Sequence, residues 1–274
     1  MYLSVFKINF FSLFFLTSLI FSSNSNAIER IISLAPHTTE LIYTLGAGDK
    51  LVAVSDYSDY PSAAASLPSV ANHNGIDIEA IMRLKPDLIV AWQGGNKPQD
   101  LARLVSLGFN VYASAPQSPA DISQDIIQLG KIIGQEQQAQ IVAQQYDSAL
   151  ADIKQRYSTQ SKKQVFYYLW TAPLMTIGAD AWASKLIHIC GATQIFDDSP
   201  IPYPEVSKEQ VIGRQPSLLI AAMNITVAEA KQYWQSTATL LSAPVLVVNP
   251  DELHRFTPRL IDGLSSMCKK INGF

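Results

Sequence analysis

The 274-residue chain is short of charge, of cysteine and of any excess of base, and each shortage excludes a class of protein. Charged residues make up only 16% against 48% hydrophobic, a balance that fills packed cores and argues against disorder. Lys and Arg number 20 against 23 acids, so the formal charge is −3 and no basic face is available for nucleic-acid phosphates. Two cysteines are too few for a disulfide-framework mini-protein or a four-thiolate zinc site. There is no Gly-x-Ser-x-Gly elbow, P-loop, Gly-x-Gly-x-x-Gly turn or His-Glu-x-x-His, so hydrolase and nucleotide chemistry are not indicated and no catalytic residue is assigned. After the N-terminal leader no apolar run is long enough to span a membrane.

The leader occupies residues 1–27: a weakly basic head to Lys7, an apolar run over 8–21, and a polar stretch ending Ser25-Asn26-Ala27. Small residues at the two positions read by signal peptidase predict cleavage after Ala27 and a mature chain outside the cytoplasm. In that oxidising compartment Cys190 and Cys268 are expected to pair, with two buried free thiols as the alternative. Closing a loop of ~79 residues would stabilise the chain by about 4 kcal/mol on the chain-entropy model.

Short β-rich runs at 31–34, 51–54, 88–91 and 111–113, then at 165–168, 218–222 and 245–248, alternate with helical patterns. That alternation predicts parallel sheets, with ligands expected at the carboxyl ends of the strands. The middle of the chain breaks the rhythm. Ser118-Pro119-Ala120-Asp121 reads as a helix start with Ser118 as N-cap, Pro in the first turn and an acid reaching back, and Gly134 ends that segment. From 135 to 157 there is no breaker, and Val142, Tyr146, Leu150, Ile153 and Tyr157 form one stripe. Such a helix is roughly 35 Å long, a domain's diameter. The organisation predicted is an α/β fold of two Rossmann-like lobes, 28–133 and 161–274, joined by one long rigid helix over 134–160. An echo between the halves supports it: Glu79 and Glu209 are each followed by an aliphatic two places on, Pro seven on and Ala twelve on.

The predicted strand-end loops are rich in aromatic and polar residues, as in Tyr57-Ser58-Asp59-Tyr60-Pro61, Trp92-Gln93-Gly94-Gly95-Asn96, Leu169-Trp170-Thr171, Pro202-Tyr203-Pro204 and Asp251-Glu252-Leu253-His254-Arg255. Aromatic faces with a few polar groups suit a flat, partly apolar ligand. Glu79 and Glu209 stand in first helical turns after Asp77 and Ser207 as N-caps, where a carboxylate favours the helix dipole. Their recurrence in both lobes also fits a two-point clamp on a basic partner.

The run Ile32-Ser33-Leu34-Ala35-Pro36-His37-Thr38-Thr39-Glu40-Leu41, with Tyr57 to Pro61, Leu84 to Leu88, Trp92-x-Gly94-Gly95-Asn96, Cys190-Gly191 and Pro202-Tyr203-Pro204-x-Val206-Ser207, resembles the periplasmic vitamin B12-binding proteins, over essentially the whole mature chain. These are the substrate-binding components of bacterial cobalamin ABC importers. The resemblance implies a monomeric periplasmic carrier of helical-backbone fold, with cobalamin held between the lobes as cargo, no cofactor and no chemistry. It implies ligand contacts from Tyr57, Trp92, Tyr203 and the 251–255 segment (Asp251, Glu252, Leu253, His254, Arg255), with Arg255 facing amides or phosphate. It implies a Cys190–Cys268 disulfide, and docking of Glu79 and Glu209 onto arginines of the membrane permease, whose separate ATPase subunits power import. The chain departs from the pattern at His73, where a cleft tryptophan is expected and which is assigned to the ligand site in its place, and at Leu169 and Met175, where phenylalanines are. Two rival readings remain: a haem or siderophore receptor, and a bare transition-metal site built from His37, His73 and His254.

Overall fold

The computed structural model describes residues 27–157 and 163–273. The leader assigned to 1–27 therefore lies outside the described residues except for Ala27, as do positions 158–160 of the predicted connecting segment. The first lobe runs β1 (Ile31–Ser33), α1 (Pro36–Thr44), β2 (Leu51–Ser55), β3 (Ser69–Asn72), β4 (Gly75–Ile76), α2 (Ile78–Leu84), β5 (Leu88–Trp92), α3 (Pro98–Ser106), β6 (Val111–Ser114) and α4 (Asp121–Ile133). Its sheet has the order β4-β3-β2-β1-β5-β6, and only the β3–β4 pair is antiparallel. β1 is wholly buried and β5 is buried through Ala91, because helices cover both faces of the sheet.

The single connecting helix α5 (Glu136–Tyr157) has 22 residues and a length of roughly 33 Å. Ala139, Val142, Ala143, Tyr146, Leu150, Ile153 and Tyr157 are its buried stripe. That stripe packs on α4 at one end and on the second lobe's helices at the other, so one apolar core runs from Ile31 and Leu41 through Tyr146 to Val165 and Leu218. α4 and α5 approach closely where Gly130 faces Ala139; a Cβ at Gly130 would collide with the Ala139 methyl. The start of α4 falls later than the sequence expectation. Residues 118–120 form a turn and the helix begins at Asp121, whose carboxylate reaches back to the Gln117 and Ser118 N–H groups at 2.9 and 2.8 Å. The acid therefore reaches back as expected, while the Ser118 hydroxyl does not cap the helix.

The second lobe runs β7 (Gln164–Thr171), β8 (Leu174–Thr176), α6 (Trp182–Ile189), β9 (Thr193–Gln194), α7 (Lys208–Arg214), β10 (Leu218–Ala222), α8 (Val227–Trp234), β11 (Val245–Val248), α9 (Pro250–His254) and α10 (Leu260–Asn272). Its sheet has the order β11-β10-β7-β8, with β9 paired to the start of β7. The echo in sequence becomes an echo in backbone. α2 and α7 are both seven residues long, both are capped by a side chain (Asp77, Ser207), and both end in a left-handed residue with φ 48°, Lys85 and Gln215. A proline follows each, Pro86 and Pro216, which disfavours the α conformation in the residue before it. Cys190, at the end of α6, is joined to Cys268 of α10 with Cα atoms 4.7 Å apart, and both residues are fully buried.

Candidate functional site at the lobe interface

The carboxyl ends of the two sheets meet along a seam built on α1, the loop after β2, and residues 254–259. Glu40 sits on the buried face of α1, 2% exposed, and accepts from both arginines of the facing lobe. Arg255 Nη1 lies 2.7 Å from its Oε1, Arg259 Nη1 2.8 Å from the same oxygen, and Thr257 Oγ1 donates to Oε2 at 3.1 Å. Arg255 further donates to Asp59 Oδ1 at 2.8 Å and to the Tyr57 carbonyl at 3.3 Å, and pairs with Asp251 at 3.2 Å. Arg259 stacks over the Tyr60 ring at 3.8 Å. Burial pushes the Glu40 carboxyl up, while the two guanidiniums pull it the other way; the carboxylate is the form that completes this network.

Beside the ionic cluster is an aromatic one. Phe256 packs edge-on against His37, Trp92 and Trp182, with centroids 5.1, 5.6 and 4.5 Å away, the first two from the opposite lobe. His37 is buried and pairs with Ser114 at 3.2 Å, and Ser114 in turn donates to Asp125 at 2.6 Å. Burial first, and Arg255 second, push the His37 imidazole down to about 3, so it is neutral.

Above this floor stand exposed aromatics. Tyr57 is 78% exposed and has φ 63°, a left-handed conformation rare for an aromatic residue, held by the Arg255 bond to its carbonyl. Tyr203 is 47% exposed and lies near enough to Tyr167 to interact electrostatically. Trp92 is half-buried against His37 and Phe256. Asp251 is half-exposed and caps nothing itself, while Glu252 accepts from Asn249 at 3.1 Å. A concavity of about 230 Å³ opens beside the Tyr57 loop, and one of about 530 Å³ at the ends of β10 and β11 includes Asn249 and Asp251. Another, about 620 Å³, lies between α8 and the β10–β11 edge and shares no residue with the seam.

Two of the residues expected from sequence at the ligand site are turned inward here. Leu253 is fully buried in the core and presents no surface to a ligand. Arg255 is 8% exposed, with its donors engaged by carboxylates and the Tyr57 carbonyl across the seam. His254 is bonded to the Tyr167 hydroxyl at 2.9 Å, and burial pushes it down to about 4. His73 is exposed on the turn between β3 and β4, at the carboxyl end of β3. The three histidines are therefore in three separate surroundings, and the described residues hold no group of three His, Cys, Asp or Glu able to bind a metal. The role of Glu40 was missed. Its signal was a carboxylate on an otherwise apolar or hydroxylated helix face, with two arginines four residues apart late in the chain. Glu79 and Glu209 stand away from the seam, exposed in the first turns of α2 and α7. Its own backbone N–H and the Ser207 hydroxyl hold Glu209 below the usual carboxylate range.

Two lobes, one rigid connecting helix and a seam of exposed aromatics define a substrate-binding protein rather than an enzyme, and the chain belongs to the periplasmic binding protein family, whose model matches residues 31–246. Within that family it is similar to the vitamin B12-binding protein of Vibrio cholerae serotype O1, 41% identical over 242 residues, 88% of each chain. The crystal structure of the periplasmic vitamin B12 binding protein BtuF of Vibrio cholerae superposes with a TM-score of 0.83 at 41% identity, covering 90% of this chain and 98% of that one. A periplasmic heme-binding protein from Roseiflexus sp. RS-1 shares the fold alone, at 22% identity and a TM-score of 0.78 over 90% and 99% of the two chains.

Proposed function

We propose that the mature chain, cleaved after Ala27, is a monomeric periplasmic carrier that captures cobalamin between its lobes. It then delivers the vitamin to a membrane permease powered by separate ATPase subunits. The observation that carries the reading is 41% identity to a vitamin B12-binding protein, spread over 88% of both chains rather than confined to a motif. The seam supports it. Tyr57 and Tyr203 offer exposed rings and Trp92 a half-buried one to the macrocycle, Asp251 and Glu252 offer acceptors to its amides, and His73 and His254 stand at the margin. Because α5 is continuous and the floor is cross-bonded by Arg255 and Arg259, the cleft is largely formed before cargo arrives, which lowers the ordering cost of binding. Glu79 and Glu209, one on each matched helix, form the acidic two-point contact with the permease. No cofactor is required, because cobalamin leaves unchanged.

Isothermal titration with cyanocobalamin, with haem and zinc as controls, tests the cargo: one-to-one binding to cobalamin alone is expected, and stoichiometric haem or zinc binding without cobalamin would sink the reading. For the partner, Glu79→Ala with Glu209→Ala is expected to leave cobalamin binding intact and to abolish uptake into vesicles carrying the cognate permease. Undiminished uptake would remove the docking role.

A further inference from the structure

Trp170 has no place in the site as assembled so far, yet it is a large apolar side chain left 58% exposed. Strand pairing fixes which way it faces. Tyr168 pairs with Thr176, but two residues further along β7, Trp170 pairs with Met175, only one residue away on β8. Two steps against one is a bulge, and cross-strand partners share a face while neighbours alternate. Thr176 and Met175 point to opposite faces, so Trp170 points opposite to Tyr168. Thr171 then pairs with Leu174, which is buried in the α7–α8 core with Tyr168. The bulge has turned Trp170 away from that core and onto the Tyr167 side of the sheet.

That is the seam side. Tyr167 bonds His254 at the end of α9 and lies near Tyr203, and the next residue of the chain, Arg255, bonds the Tyr57 loop of the first lobe. Met175 also bridges Glu205, so Trp170, Met175 and the strand running on from Tyr203 lie side by side. The indole is held in place: its Nε1–H donates to the Ala172 carbonyl at 3.0 Å, which leaves the ring face free.

We propose that Trp170 is a specificity-determining contact of the second lobe, an aromatic platform that packs on the apolar rim of a macrocycle held opposite Tyr57 of the first lobe. This rests on the cobalamin reading above, and the macrocycle named is the corrin. A ring platform gives dispersion contact to the apolar rim and face of the corrin where its axial ligands leave them uncovered, whereas a bare ion gains nothing from it.

The test compares wild type, Trp170→Phe and Trp170→Ala by titration with cyanocobalamin and by fluorescence. Trp170→Ala is expected to weaken binding on the order of tenfold and Trp170→Phe by no more than about threefold. Thermal midpoints should be unchanged, because the side chain is exposed. Quenching of tryptophan emission by cyanocobalamin should shrink in Trp170→Phe, since one of the chain's 4 tryptophans no longer reports. Wild type that binds while Trp170→Ala binds equally well overturns the platform alone. Wild type that takes up no cyanocobalamin overturns the cargo reading, and the platform with it.

Discussion

Neutralising Glu40 should damage the protein far more than any surface ion pair, and the contacts set the scale. In Glu40→Gln the seam keeps its shape but loses the one carboxylate facing both arginines. Arg255 retains Asp59 and Asp251, the former 59% and the latter 39% exposed, whereas Arg259 is left stacked on Tyr60 with no carboxylate partner among the described residues. Breaking a buried pair by removing one partner costs about 3–5 kcal/mol. Retained hydrogen bonds to glutamine reduce that to about 2–4 kcal/mol here. For a chain of this size the melting temperature should fall by about 5–12 °C. Urea unfolding read by tryptophan fluorescence measures it directly. The double variant with Arg255→Met should lose less than the sum of the two singles, because they share one interaction. A loss under about 0.5 kcal/mol, the level of an exposed pair such as Arg83–Glu79, would refute the claim that this network holds the lobes together.

Reducing or deleting the Cys190–Cys268 bridge should cost about 4 kcal/mol, as a fall in urea midpoint; an unchanged midpoint would mean the unfolded chain is compact without it. Stability should decline as pH falls below about 6.5, because His37 and His254 are pushed down to about 3 and about 4 and the unfolded chain takes up their protons first. Each imidazole contributes up to about 1.4 kcal/mol per pH unit in that window. His37→Gln should flatten the slope of unfolding free energy between pH 6 and 4 relative to wild type, and an unaltered slope would show that His37 is not the group titrating. Buried Asp125 and Glu40, both pushed up by burial, act with the opposite sign at the acid end, so the difference between variant and wild type is the readout.

The fold was legible because its signals are local. The runs at 218–222 and 245–248 are β10 and β11, and the uninterrupted stretch to Tyr157 is α5, since buried parallel strands and a long amphipathic helix write their periodicity into consecutive residues. β3, β4, β8 and β9 were not, because strands of two to four residues carry neither an apolar run nor enough alternation to be seen. The site was half legible. Aromatic loops at strand ends pointed to the seam, but which side chains are spent inside it depends on contacts about 200 residues apart in sequence, such as Arg255 with Glu40 and Asp59. A segment expected to face the ligand therefore divides: Asp251 faces out, while Leu253 and Arg255 face in. The direction of Trp170 was hidden for a similar reason. Alternation along β7 assigns it to the wrong face, and only the register against β8 reveals the bulge.

A crystal structure of the mature protein grown with cyanocobalamin would show where the cargo sits. The corrin is expected between the lobes, with Tyr57 on one side and Trp170 and Tyr203 on the other, above an unbroken Glu40–Arg255–Arg259 floor. Cobalamin seated instead in the groove between α8 and the β10–β11 edge, or bound only after that floor has come apart, would contradict that placement.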